Sequence, residues 1–411
     1  ANGGNGVVAV GATGGGGGCG RISVIYNTTA NSSSFTGQSS ISVAVGTGGT
    51  LAEVGSAALV DKKGTGATTD DDISIYKGWD WLAADTTGSL FTYNNIASTN
   101  ASIVSIETGL TFNLQSTGNL TITNSIWSLP ASGTATFNNI VTAAISSSSQ
   151  ITGGVLSTIT LGATTISLST TSHIKGGVLS TITLGATTIS LSTTSHIKGG
   201  TVSITAPTIT VDGTSTIDGS ALGSRGGYKD GNAGANGEGT GGGIGTINDN
   251  TYAAGGGAYG GKGGTGAGGV VANFAGGSEY GSALAPVAMG SGGGGVNSSS
   301  KAGGNGGGLI TLTVSGTLTV SGSILANGGN GTATACAGGG AGCSGGGGSG
   351  GGINITAATL AGAGTITANG GNGVVAVGAT GGGGGGGRIF IGYDTLSSFI
   401  CAVSNVRAYG A

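Results

Sequence analysis

Gly153 to Lys175 reads GGVLSTITLGATTISLSTTSHIK, and Gly176 to Lys198 repeats it without a change. An exact tandem copy at this period is the signature of a repeat architecture, in which one supersecondary unit buries its apolar face only by stacking on the next. Within the unit, Ile159 and Leu161 alternate with Thr158 and Thr160, and Ile166 and Leu168 alternate with Thr165, Ser167 and Ser169. Period-two alternation in short runs broken by Gly reads as short β-strands separated by tight bends. The following stretch, Gly199 to Gly219, keeps the pattern in a slightly shorter unit. Three short strands per unit match one coil of a parallel β-helix. Stacked coils would set Ile166 over Ile189 and Leu161 over Leu184, and the outward Ser and Thr would form hydroxyl ladders. An antiparallel sandwich explains the alternation but not the tandem copy. The same alternation in Leu110–Leu114 and Leu120–Thr123 starts the stack near residue 103.

Two further periods surround this one. ANGGNG occurs at 326 and at 368, each time after a pair of short strands and a Gly-run. The first eighteen residues, ANGGNGVVAVGATGGGGG, return unchanged from Ala368 to Gly385, an offset of 368 − 1 = 367. Gly20-Arg21-Ile22 then recurs as Gly387-Arg388-Ile389, with Cys19 replaced by Gly386. The only Met is Met289, and the chain looks like one period of a longer repetitive molecule.

Composition sharpens the class. The 411 residues include 97 Gly and only 3 Pro, which excludes collagen. Abundant Leu, Ile, Val and Thr exclude a disordered linker throughout, and long helices are not expected. Only 7% of residues are charged and the net charge is −3, so nothing argues for nucleic acid. No apolar run is long enough for a membrane span. Four segments follow: an opening glycine-rich segment (1–20), a β-rich region ending in coils (21–220), a glycine-rich region (221–308) and strand pairs alternating with glycine runs (309–411). Interleaved Val, Ile, Ala and Asn favour ordered, polyglycine-like runs, in which only Gly lets backbones pack flank to flank and pair their N–H and C=O groups.

Candidate sites are few. Cys336 and Cys343 are close enough to pair across a Gly-rich loop, and Cys19 and Cys401 lie near the two similar ends, where they would link adjoining units. Sequons start at Asn27, Asn31, Asn100, Asn119, Asn297, Asn330 and Asn354, and would matter in a secreted eukaryotic protein. The cluster Asp70-Asp71-Asp72 with Trp79 and Trp81 is the densest polar-aromatic patch. Trp79, Trp81 and Asp71 are its glycan-contact candidates, against a plainer reading as a solvated loop followed by an anchored strand. His173 and His196 occupy the same position in the tandem copies and read as duplicated turn residues. GGAYGGKG (256–263) lacks the Ser or Thr and the strand–helix frame of a phosphate loop. No catalytic set, metal set or cofactor motif can be assembled, so an enzyme is not expected.

The run GGGGGGGRIFIGY (381–393), preceded by strand, turn, strand and ANGGNG, resembles glycine-rich, repeat-built surface proteins of adhesin or surface-layer type. The Ser/Thr-laddered part is similar to filamentous haemagglutinin-like β-helical passengers. The Gly-rich part is similar to the glycine-rich domain of the anaplastic lymphoma kinase receptor group. The resemblance implies an extracellular or cell-surface role, structural or adhesive, and transfers no catalytic residue. The leading expectation is a structural subunit or repeat of an extracellular fibre or sheath that assembles with itself head to tail. The alternative is a cell-surface adhesin or glycan-binding module, with a Thr-laddered face that would also suit ice.

Overall fold

A computed structural model of the chain describes residues 8–9, 12–13, 21–26, 56–63, 71–76, 78–100, 103–115, 117–230, 235–246, 252–268, 272–296, 302–335, 342–396, 398–399 and 404–411. Among these, regular structure is β-strand apart from one 3₁₀ turn at Ala83–Asp85, and the strands gather into long, mostly parallel sheets. The chain divides into two compact units. One comprises residues 1–153, 159–174 and 185–187; the other comprises 154–158, 175–184 and 188–411.

In the first unit three rows of parallel strands recur. One row runs Asp72–Ile75, Asn95–Thr99, Asn119–Thr123 and the second half of Thr134–Ser146, with Ile73 beside Ile96, Ile96 beside Leu120 and Leu120 beside Ala143. A second row sets Phe91 beside Phe112 and Phe112 beside Phe137. A third sets Trp79 beside Val104, Val104 beside Trp127 and Trp127 beside Ile151. Side-chain rungs link residues 22 to 26 apart, the length of one coil. The stack therefore starts well before residue 103. The earlier coils escape a reading of alternation because their strands, Trp79–Trp81 and Leu90–Tyr93, are short and flank a polar loop. One neighbour departs from the rule: Ser56–Asp61 pairs antiparallel with Asp72–Ile75.

In the second unit Ile189 lies beside Ile209, and Ile197 beside Ile217, so the second tandem copy stacks on the shorter unit after it. Ile209 then lies beside Leu318, although more than a hundred residues separate them. The chain leaves the stack after Asp218 and returns at Leu309 beside Thr201 without losing register, since Ile204 faces Leu312, Leu312 faces Ile355 and Ile355 faces Ile391. It leaves again after Leu325 and Thr367 and returns at Gly352 and Arg388. The later coils are linked by rungs 42 residues apart, Asn327 to Asn369 and Asn330 to Asn372.

Burial follows the alternation. Thr208–Val211 and Thr188–Leu191 bury every second residue, and Ile189, Ile209, Leu318 and Leu360 are fully buried. Fully burying one such side chain stabilises by roughly 1.5–3 kcal/mol. Short polar bends connect the rows. At one of them Asp212 accepts hydrogen bonds from the Thr193 and Thr214 N–H groups at 2.6 and 3.0 Å. Burial pushes its carboxyl up, but bonds from Ser215, Thr193 and Thr214 outweigh that and hold it below its ordinary value.

Candidate functional site

The predicted glycan patch is part of the interior. Trp81 is 2% exposed and sits edge-on to Phe91, Tyr93 and Phe112, with centroids 4.8, 6.0 and 5.1 Å away. Phe112 stacks between Phe91 and Phe137 at 5.5 and 4.8 Å. Because coils are in register, aromatic residues at equivalent positions must stack, and offset stacking is the favoured contact. Asp71 is buried as well and pairs with Lys62 at 3.0 Å. Asp72 accepts from Asn95 Nδ2 at 2.8 Å, and Asn119 Nδ2 continues the ladder to Asn95 Oδ1 at 3.3 Å. Trp81 and Asp71 thus present no face to a sugar as placed, and Trp79 is half-buried beside Trp81 at 6.1 Å. Tyr93 is pushed up to about 12, first by burial and then by the carboxylates of Asp71 and Asp85.

Other sequence candidates fall as follows. Cys343 is buried and disulfide-bonded; Cys19, Cys336 and Cys401 lie outside the described residues. Asn27, Asn31 and Asn297 also lie outside them. Asn100 is exposed and accepts from Asn124, Asn119 belongs to the ladder, Asn330 is exposed and accepts from the Asn372 N–H, and Asn354 is on the strand Gly352–Ala361. His173 and His196 each open a short strand whose next residue, Ile174 or Ile197, is fully buried. Among the described residues no three His, Cys, Asp or Glu side chains gather to hold a metal, and no helix is long and apolar enough to cross a membrane.

Hydroxyl ladders are present. In the second unit Thr188, Thr208, Thr317, Thr359 and Thr395 stand in register on successive strands, beside a second row of Ser190, Thr210 and Thr319.

Glycine builds the most unusual arrangement. The backbone N–H groups of Gly346 and Ser349 go to Gly294 and Ser291, those of Gly347 and Gly350 to Gly382 and Gly385, and those of Gly348 and Gly351 to Gly329 and Ala326. Donors rotate through three neighbours with a period of three, the turn of a threefold extended helix. Carbonyls of the same segment accept from three more: Gly346 from Gly304, Gly347 from Gly257 and Gly348 from Gly371. Six chains surround one. A Cβ on Gly347 or Gly348 would fall on the carbonyl oxygen of Gly371 or Asn305, which is why side chains are excluded here. The loop GGAYGGKG lies in this arrangement: the Gly257 N–H is bonded to the Gly347 carbonyl, and those of Gly256 and Gly263 to Gly264 and Gly277. Arg388, the first residue after a Gly-run, donates through Nε to the Tyr280 carbonyl at 2.9 Å and lies over the Tyr259 ring at 5.7 Å.

The repeated opening segment forms the same hairpin both times. Val8 pairs with Thr13 and Ala9 with Ala12; Val375 pairs with Thr380 and Ala376 with Ala379. In the later copy Val375 and Val377 are 75% and 80% exposed.

A groove of about 700 Å³ lies on the first unit, lined by residues of four successive strands and the turns beside them. Thr92, Asn113 and Asn138 stand in register across it, and Asn139 Nδ2 donates to Asn113 Oδ1 at 3.2 Å. Gln115 and Thr164 complete the polar lining, with Leu114 and Ile140 buried beneath. No signal in the sequence marked this groove, because it exists only where coils bend together.

Comparison with protein-family models, curated proteins and solved structures finds no match to this chain.

Proposed function

We propose that this chain is a structural subunit, or one repeat, of an extracellular fibre or sheath, built as a parallel β-helix braced by polyglycine-like segments and assembling head to tail. The observation that carries the reading is the hairpin formed twice, in one register, by the segment that opens the chain and returns at 368. Each copy leads into a terminal strand of a mostly parallel sheet, Arg21–Tyr26 or Arg388–Leu396. Among the described residues each terminal strand is bonded to one neighbour, and an unpaired sheet edge is a template for another chain. A contact between different surfaces that does not close generates a filament. With 7% charged residues, little electrostatic repulsion opposes it. The exposed Val375 and Val377 supply an apolar contact for a second copy. Interlocked glycine segments suit a load-bearing role, because successive backbone groups of one segment bond to several different neighbours.

Sedimentation velocity over a concentration series tests this. Growth of the sedimentation coefficient with concentration supports it, and a single 38.1 kDa species at all concentrations refutes it.

A further inference from the structure

We infer that the groove on the first unit binds a neutral, linear glycan. Its polar lining is Thr92, Asn113, Gln115, Asn138, Asn139 and Thr164, with no charged residue among the described residues. Amide and hydroxyl groups each donate and accept, which matches a partner whose own surface is hydroxyl groups and not an ion. The rungs Thr92, Asn113 and Asn138 lie on adjacent strands, hence about 4.8 Å apart. That is close to one ring of an extended sugar chain, so successive rings would meet successive rungs. Asn139 is held in the left-handed region, with φ 57°, and donates to Asn113, so these two amides orient one another before a ligand arrives.

A second, independent observation is Gly162. It lies inside the strand Thr158–Leu168 and lines the groove. Glycine within a strand weakens it and often marks a bend or the close approach of a ligand or another backbone. No protein atom crowds this one: an added Cβ would meet only the Phe137 carbonyl oxygen at 3.7 Å and Asn138 Oδ1 at 3.8 Å, ordinary contacts. The same openness holds at Gly185, its counterpart in the tandem copy. The missing side chain leaves the floor of the groove clear. An extended peptide fits less well, because the groove runs across successive strands, whereas an added peptide strand lies along a single one.

This inference does not depend on filament formation. The test is a glycan microarray carrying neutral linear chains (β-1,4-glucan, β-1,4-linked N-acetylglucosamine, mannan) and anionic chains, probed with the full chain and followed by calorimetric titration of the hits. The expected result is binding to a neutral chain of three or more rings. Gly162→Leu places a side chain in the groove from a position where an added Cβ meets only ordinary contacts, and weakens that binding at least tenfold while the variant stays folded by its melting transition; Asn113→Ala with Asn138→Ala weakens it likewise by removing the rungs. Binding that survives Gly162→Leu, binding to anionic chains alone, capture of an extended peptide at this groove, or no neutral chain bound at millimolar concentration would each overturn the inference.

Discussion

Ser291 and Ser349 lie side by side in two adjoining glycine segments and are joined by three hydrogen bonds: the Ser349 N–H donates to the Ser291 carbonyl at 3.0 Å, the Ser291 N–H donates to Ser349 Oγ at 2.9 Å, and Ser349 Oγ donates to the Ser291 carbonyl at 3.4 Å. Both are fully buried. Ser291 Oγ in turn accepts from the Gly241 N–H at 3.0 Å and lies 2.9 Å from the Tyr280 hydroxyl. A serine is tolerated in an otherwise side-chain-free lattice because its oxygen takes the place of a missing backbone acceptor. Ser349→Ala strands the Ser291 N–H, so a loss of about 1–3 kcal/mol in denaturant unfolding is expected.

Gly348→Ala and Gly162→Ala form a contrasting pair. The first puts a methyl group on the Asn305 carbonyl, and overpacking with loss of neighbouring bonds should cost about 3 kcal/mol or more. The second meets only ordinary contacts and should be neutral or slightly stabilising. Melting temperatures of the two variants check this directly, and equal effects would mean that the glycine segments are not packed as described.

Phe112 is fully buried between two stacked rings and against two tryptophans. Phe112→Ala should destabilise the first unit by about 3–5 kcal/mol, measured by loss of near-ultraviolet dichroism on unfolding.

Tyr93 gives a pH signature. Its folded value is raised to about 12 from an ordinary 10.0, so its contribution to stability is complete below pH 10 and is lost as pH rises from 10 towards 12. Unfolding midpoints should therefore fall over that window, and Tyr93→Phe should flatten the fall. A slope unchanged in the variant would assign the alkaline loss to other groups.

How much of this was legible in the residues depends on whether side chains carried the message. Ile189 and Ile209 announce a common interior by period-two alternation, and their register agrees with it. The spacing of ANGGNG reappears as the rungs Asn327 to Asn369 and Asn330 to Asn372. Trp81 is legible in the plainer of its two readings, a strand anchored by tryptophan, and not as a glycan contact; which rings surround it is unreadable, because neighbouring coils supply Phe91, Phe112 and Trp127. The neighbours of Gly347 could not be read at all. Glycine has no side chain to specify a partner, so which six segments meet is decided by where the coils release and recover the chain. The Asn113–Asn138 groove is hidden for the same reason, being made by stacking and not by local sequence.

Negative-stain electron microscopy of the purified full chain at high concentration, beside the double variant Val375→Asp, Val377→Asp, decides whether the proposed head-to-tail assembly takes place. Unbranched filaments are expected for the natural sequence, and separate particles for the variant at an unchanged melting temperature. Separate particles from both, or filaments from both, would contradict it.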